Sequence, residues 1–405
     1  MSQADSPARR DGVGRPGPAP EAAFAAKGAD GLGVSAPAVA TAAHRTRAAK
    51  PPPHLADLAP EERDAWAESL GLPRMRARQA ARHYFSRLER SASYMTDLPA
   101  AGRDQLVATL LPELLTEVAR QTTDRGRTVK TLYRLCDSSA VETVLMAYPG
   151  RVTLCVSSQA GCGMACPFCA TGKLGLKRNL TAAEMLEQVR LAARAAGAGA
   201  LGEPARLSNV VFMGMGEPLA NYRALERTLR GIAGGQAEGF GISARNVTVS
   251  TCGLIPGIDR LAGEGLPVRL ALSLHAPDDE TRDRLVPVNR RYGVAATLAA
   301  AHRYHLATGR RVSIEYALIR DINDQAWRAS QLAERLCQYG TRWVHVNPIP
   351  LNPVEGSVWA ASRPEAQDAF VRRLAQAGLT VTLRDTRGRD IDGACGQLAA
   401  KEVAK

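Results

Sequence analysis

The chain has 405 residues, a formal net charge of +12 and a pI of about 9.6. That length allows one large core with a smaller appended domain, and the positive surplus favours polyanionic partners, nucleic acid first. No apolar run is long enough to cross a bilayer, no secretory signal opens the chain, and eight cysteines in so long a chain fit a reducing cytosol better than a disulfide framework, so a cytoplasmic protein is expected.

Residues 1–52 are rich in Ala, Pro, Gly and Arg and read as a disordered leader running into Pro51-Pro52-Pro53. Residues 53–118 read as a helical domain, with "APEERDAWAESLG" followed by "LPRMRARQAARHYFSRLER". Arg74, Arg76, Arg78, Arg82, Arg87 and Arg90 make the second helix very basic, either as a solvated face or as a contact for an RNA backbone. Residues 119–150 read as a short β extension, "TVKTLYRL" and "AVETVLMAY". From 151 to 400 the pattern becomes strand then helix. "VTLCVSS", "LSNVVFMG", "NVTVST", "VRLALSLH", "VSIEYALI" and "WVHVNPI" are the strands. "TAAEMLEQVRLAARAAG" is a helix with Thr181 as its cap and Glu184 three residues on, a capping box. Such alternation predicts an α/β fold with a parallel sheet. About six units are too few for a closed eight-fold barrel, so the expected architecture is a partial (β/α)6 barrel, related to the TIM barrel, with a small helical accessory domain. Chemistry in such folds gathers at the C-terminal ends of the strands.

One loop at that edge, "QAGCGMACPFCATG", holds Cys162, Cys166 and Cys169 in the spacing C-x3-C-x2-C. Incidental thiols or part of a zinc site are the plain alternatives, but a structural zinc site wants four closed ligands and three suit a centre with one open position. Thiolates are the usual ligands of iron–sulfur clusters. The arrangement closely resembles the radical S-adenosylmethionine superfamily, with Phe168 before the third cysteine where relatives usually have an aromatic. The resemblance implies a [4Fe-4S] cluster whose open iron binds the amino and carboxylate groups of S-adenosylmethionine, and cleavage of the sulfonium to a 5′-deoxyadenosyl radical.

"FMGMGEPL" ends the next strand, where Gly216 permits close backbone approach and Glu217 can accept from an ammonium group. It resembles the superfamily's cofactor-binding Gly-Gly-Glu-Pro segment. Ser250 in "VSTCG", Ser273, Leu274 and His275 in "ALSLHAP", and Asn352 in "NPIPLNP" offer further groups at strand ends. Each alone reads as a turn residue or a satisfied core polar group; together they point to one pocket.

"DTRGRDIDGACGQL" carries Cys395 among small and polar residues, with Arg384, Arg387 and Arg389 nearby. A buried structural thiol is the common fate of a free cysteine, but these surroundings favour a reactive thiolate. With "VETV", "LCVSSQAGC", "FMGMGEPLANY" and "SLHAP", this ending strongly resembles the bacterial RNA adenine C2-methyltransferases over about residues 55–400. The resemblance implies methylation of an adenosine in the peptidyl-transferase region of 23S rRNA, and in some members of the adenosine 3′ of the tRNA anticodon. It implies that one cofactor molecule methylates Cys395, a second supplies the radical that takes a hydrogen from that methyl, and the resulting thiomethylene radical adds to C2. Glu142 in "VETV" matches the family's general base, and Cys155 in "LCVSS" matches the thiol that resolves the adduct by a disulfide with Cys395. A flavodoxin or ferredoxin-type electron donor, a single cluster per subunit and a monomer complete the expectation. Cys136, Cys252 and Cys337 read as structural. The chain departs from relatives at Leu351, where many carry Trp, and at Arg389, where many are acidic. The rival closest in chemistry methylates C8 of the same RNA and confers antibiotic resistance; more distant rivals are a radical enzyme on another substrate and a non-catalytic zinc protein that binds RNA.

Overall fold

The computed structural model describes residues 50–235, 238–352, 357–384 and 396–399, all within one compact unit. Its described strands are β1 (Thr116–Thr123), β2 (Thr128–Arg134), β3 (Ala140–Tyr148), β4 (Arg151–Cys155), β5 (Gln159–Gly161), β6 (Leu176–Asn179), β7 (Asn209–Phe212), β8 (Val247–Thr251), β9 (Arg269–Ser273), β10 (Val312–Leu318) and β11 (Val344–Pro350). The helices are α1 (Pro60–Ser69), α2 (Arg74–Ala81), α3 (Arg103–Leu110), α4 (Ala170–Lys173), α5 (Ala182–Gly197), α6 (Tyr222–Ala233), α7 (Ile255–Gly263), α8 (Asp279–Leu285), α9 (Val294–Thr308), α10 (Ala326–Cys337) and α11 (Pro364–Gln376).

One nine-stranded sheet runs β1-β2-β3-β4-β7-β8-β9-β10-β11. β4 and β7–β11 pair parallel, which makes the six strands of a partial (β/α)6 barrel. β1, β2 and β3 extend it antiparallel from β4. The sheet extension therefore shares backbone hydrogen bonds with the barrel, and β1 begins at Thr116, three residues before position 119, where the sequence places its start.

The outward strand residues Leu154, Val210, Val249, Leu270, Ile314 and Val346 are fully buried in one apolar core with Leu186, Leu229, Leu298, Leu332 and Phe370 of the helices. Helix α5 starts as its sequence predicts: Thr181 Oγ1 accepts from Glu184 N at 3.1 Å, and Glu184 Oε2 accepts from Thr181 N at 2.9 Å.

The N-terminal helices dock on α5 and α6. Asp57 Oδ1 accepts from Ala183 N at 2.8 Å, Arg190 donates to Leu88 O at 2.7 Å, and Arg227 pairs with Glu62 at 3.0 Å. Tyr84, Phe85 and Phe240 pack edge to face around this joint. On the basic helix, Arg74 and Arg78 pair with Glu68 and Asp64, so part of its charge is neutralised locally.

Candidate active site

Side chains alternate along a strand, so register decides which residues look into the barrel. Cys155 pairs with Val211, Ala271 pairs with both Ser250 and Ser313, and Glu315 pairs with both Ser273 and Asn347. Ser250, Ser273, Glu315 and Ile349 line one cavity of about 230 Å³ at the C-terminal strand ends. Cys162, Met164, Cys166, Phe168 and Cys169 form another wall, and Met213, Gly214, Gly216 and Glu217 a third. Cys155 lies on the same inward face of β4, buried to 7% exposure.

The cysteine loop is held between β5 and α4, and β5 pairs with β6 in a small hairpin that closes the loop. Met164 N donates to Cys162 Sγ at 3.5 Å, and Cys169 N donates to Cys166 O at 3.1 Å. Gly172 lets α4 lie on this loop, because a Cβ there would sit 2.8 Å from Cys166 O. Burial pushes the Cys162 thiol up to about 12. A hydrogen bond from Cys252 lowers the Cys166 thiol against the opposing effect of burial.

The facing loop is equally constrained. Gly216 has φ +101°, and a Cβ would lie 2.5 Å from Gln159 Cβ. Glu217 N donates to Gln159 Oε1 at 2.8 Å. The Glu217 carboxylate accepts from Leu219 N at 3.0 Å and Cys252 N at 2.8 Å; burial pushes its carboxyl up while these amides hold it down. His275 takes a left-handed conformation (φ 63°), accepts from Ala317 N at 3.0 Å through Nδ1, and meets Phe168 at 5.2 Å. Burial, then Arg282, lowers it to about 3, so the ring is neutral. Fully buried Arg282 ties two strand ends together, donating to Leu274 O at 2.9 Å and Cys252 O at 2.6 Å. Three soft sulfur donors on one wall suit an iron–sulfur cluster, and the polar groups opposite suit a ligand with ammonium and hydroxyl donors, so the residues present fit both.

Leu274 is buried in the apolar core and contributes only backbone here, and Asn352 follows β11 half-buried outside the cavity lining. Glu142 on β3 is 3% exposed and pairs with Lys130 Nζ of β2 at 2.8 Å. Its carboxylate also accepts from Gly396 N at 2.9 Å and Ala399 N at 2.7 Å. Cys395, like Arg387 and Arg389, lies outside the described residues. Lys130, Thr171, Arg282 and Glu315 escaped the sequence reading, which took Cys252 as structural and named Arg384 only as a neighbour of Cys395. Inward parity in "VSIEYALI" was a signal for Glu315; Lys130 had none, because it reads as the solvent side of an alternating strand.

A partial parallel barrel with a three-cysteine loop after its first strand defines a radical S-adenosylmethionine enzyme. Residues 156–333 match the radical SAM superfamily. The chain is 59% identical over 357 residues to the probable dual-specificity RNA methyltransferase RlmN of Bifidobacterium longum, covering 88% of this chain and 92% of that protein. It is 61% identical to the protein of the same name from Thermobifida fusca, over 87% of this chain and 96% of that one. The solved structure of a radical SAM methyltransferase from Sphaerobacter thermophilus matches with a TM-score of 0.80 at 46% identity, covering 85% of this chain and 99% of that one. The chain belongs to the dual-specificity RNA methyltransferase family of the radical SAM superfamily.

Proposed function

We propose that this protein methylates C2 of an adenosine in the peptidyl-transferase region of 23S rRNA and of the adenosine 3′ of the tRNA anticodon. The observation that carries the reading is the seating of Gly396, the residue after Cys395, against Thr171 on the rim of the three-cysteine cavity: a Cβ on Gly396 would lie 2.4 Å from Thr171 Oγ1. Thr171 also lines the cavity with Cys162, Cys166 and Cys169, which supports a role for the cysteine that precedes Gly396 in sequence. C2 of adenine lies between two ring nitrogens and is electron-poor, so it does not attack a methyl sulfonium as an amine or thiolate does. The cluster and cofactor supply a carbon radical that can take hydrogen from a methyl group. The chain does the rest. Cys162, Cys166 and Cys169 hold the cluster. Gly216, Glu217, Ser250, Ser273 and His275, which line the cavity, hold S-adenosylmethionine, two molecules per turnover, with Leu274 acting through its backbone alone and Asn352 from outside the lining. Cys395 accepts the methyl as a nucleophile and delivers it as a methylene. Glu142 is the base for the C2 proton, and Cys155, on the inward face of β4, resolves the adduct through a disulfide with Cys395.

RNA recognition relies on splayed, unpaired bases, so the target adenosine is met flipped or in a loop. The exposed arginines of the N-terminal helices grip phosphate, and affinity falls steeply with salt. A flavodoxin or ferredoxin-type reductase supplies electrons, and the protein works as a cytoplasmic monomer; among the described residues no helix is long and apolar enough to cross a membrane. The dual-specificity relatives support C2 chemistry over C8. The test is anaerobic turnover with methyl-deuterated cofactor and a 23S RNA fragment, then nucleoside mass spectrometry. A 2-methyladenosine retaining two methyl deuteriums is expected; 8-methyladenosine, or a methyl with all its deuterium, would overturn the reading.

A further inference from the structure

Lys130 and Glu142 stand on adjacent antiparallel strands, in the register Lys130↔Val144 and Leu132↔Glu142. Their side chains are diagonal neighbours on one face, 1% and 3% exposed, with Nζ and Oε2 at 2.8 Å. A buried ion pair needs further hydrogen bonds to its free lone pairs. Glu142 obtains them from a segment far along the chain: Gly396 N donates to Oε2 at 2.9 Å and Ala399 N to Oε1 at 2.7 Å. Three donors thus occupy three of the roughly four lone-pair sites of the carboxylate.

The same segment is gripped on two more sides. Leu398 and Ala399 pack in a small apolar cluster with Leu132 of β2 and Met215 of the glycine-rich loop, against which Leu174 also packs. Gly396, at φ +86°, fits so tightly against Thr171 that a Cβ would lie 2.4 Å from Oγ1 and 2.9 Å from the Thr171 amide nitrogen. Residues 396–399 therefore join the sheet extension, the glycine-rich loop and the helix that follows Cys169. Gly396 N is the atom bonded to the carbonyl carbon of Cys395, so its hydrogen bond to Glu142 anchors the chain directly after that cysteine.

We propose that Lys130 and Glu142 form a latch that seats the segment directly after Cys395 beside the cysteine loop, which makes Lys130 a positioning residue for the reaction. This rests on the methyl-carrying role given to Cys395 above. While the segment is seated, the Glu142 carboxylate is engaged by Lys130 and two amides.

The test uses the reconstituted holoenzyme with Lys130→Met and Lys130→Arg. Hydrogen exchange of the peptide containing 396–399 is read beside peptides from β8 and β9. Cofactor cleaved per adenosine methylated is read in the same preparations. For Lys130→Met the expected result is exchange at 396–399 faster by about tenfold or more with β8 and β9 unchanged, iron and sulfide retained, and cleavage per methylation up by about tenfold. Lys130→Arg restores most of both, because the charge remains. Unchanged exchange at 396–399, or faster exchange with unchanged coupling, overturns the latch. If Lys130→Met does not fold, Gly396→Ala displaces the segment from the Thr171 side while leaving both side chains of the ion pair in place. The same two changes are then expected, and their absence overturns the proposal. A wild-type enzyme that makes no methyladenosine overturns the functional reading alone, since the exchange measurement still decides the latch.

Discussion

Gly216→Ala isolates how tightly the cofactor wall is built. The glycine sits at φ +101°, outside what an alanine adopts without strain, at about 1–2 kcal/mol. The added methyl also meets Gln159 Cβ at 2.5 Å, and Gln159 Cγ and N at 2.7 Å each. An ordinary carbon contact is about 3.5–4.0 Å, so one side must retreat by about 1 Å. Gln159 cannot do so cheaply: it is 2% exposed, its amide donates to Met215 O at 3.2 Å, and its side chain donates to Asn179 at 2.7 Å. Overpacking adds about 1–3 kcal/mol, for a local total of about 2–5 kcal/mol. The glycine-rich loop takes the displacement and carries Glu217 with it, and a misplacement of about 1 Å costs on the order of a hundredfold in rate. The assay is anaerobic cofactor cleavage with cluster content measured in parallel. Gly309→Ala is the control, since it shares a positive φ (+65°) but nothing lies within 4 Å of its Cβ. That variant should lose about 1 kcal/mol of stability and keep its cleavage rate. If Gly216→Ala cleaves cofactor within about threefold of wild type, the close-approach argument is wrong.

Thr181→Ala removes the cap of α5 and should lower stability by about 1 kcal/mol in denaturant titration; no change would mean the box is redundant with the docking of Asp57. Burial, opposed by Glu187 and reinforced by Arg90, Arg190 and Arg63, lowers His54 from 6.5 to about 4. The unfolded chain therefore takes up this proton first, and its stabilising effect is lost as pH falls from about 6.5 towards 4. Between pH 7.5 and 5.5 the loss is about 1.3 kcal/mol, and His54→Gln should flatten that part of the profile. Cys166→Ala should abolish the cluster's visible absorption and cut bound iron and sulfide, while tetrahedral zinc in the wild type would refute the sulfur-cluster assignment. Glu315 lines the cavity with Oε1 engaged by Ser313 at 2.6 Å and Asn347 at 3.0 Å; Oε2 has no hydrogen-bond partner among the described residues and faces Arg384 at 3.9 Å. Glu315→Gln should weaken S-adenosylmethionine by about tenfold in equilibrium binding, because a charged acceptor is lost; an unchanged Kd would remove Oε2 from the cofactor site.

The parallel strands were legible because each is a short apolar run beside turn residues, and α5 because its capping box is local. The cysteine loop was legible from spacing alone. The hairpin that closes it was not. Strand β6 is only Leu-Lys-Arg-Asn, polar and largely exposed, and it forms because β5 lies alongside. Lys130 shows the same limit in a stronger form. "TVKTLYR" alternates like a strand with one wet face, yet its first six residues are all buried. The second face is covered by residues 396–399, more than 250 positions away. Cys252 passed as structural because a thiol after a strand carries no signal until the fold brings Cys166 of the cysteine loop to it.

Strands of a parallel sheet are usually apolar on both faces. Here the outward residues follow that rule, and many of the inward ones do not. Thr153, Thr248, Ser313 and Glu315 are buried polar groups on the inner face, and Ser313, Glu315 and Asn347 bond to one another at 2.6–3.0 Å. Burying such groups costs free energy unless they are satisfied, and an apolar lumen would be the more stable choice. A barrel evolved for packing alone would fill its lumen with branched apolar side chains. A barrel whose inner wall carries polar groups from Thr153 to Asn347, with a soft-sulfur loop at one edge and residues 396–399 seated beside it, suits a polar ligand held against sulfur donors.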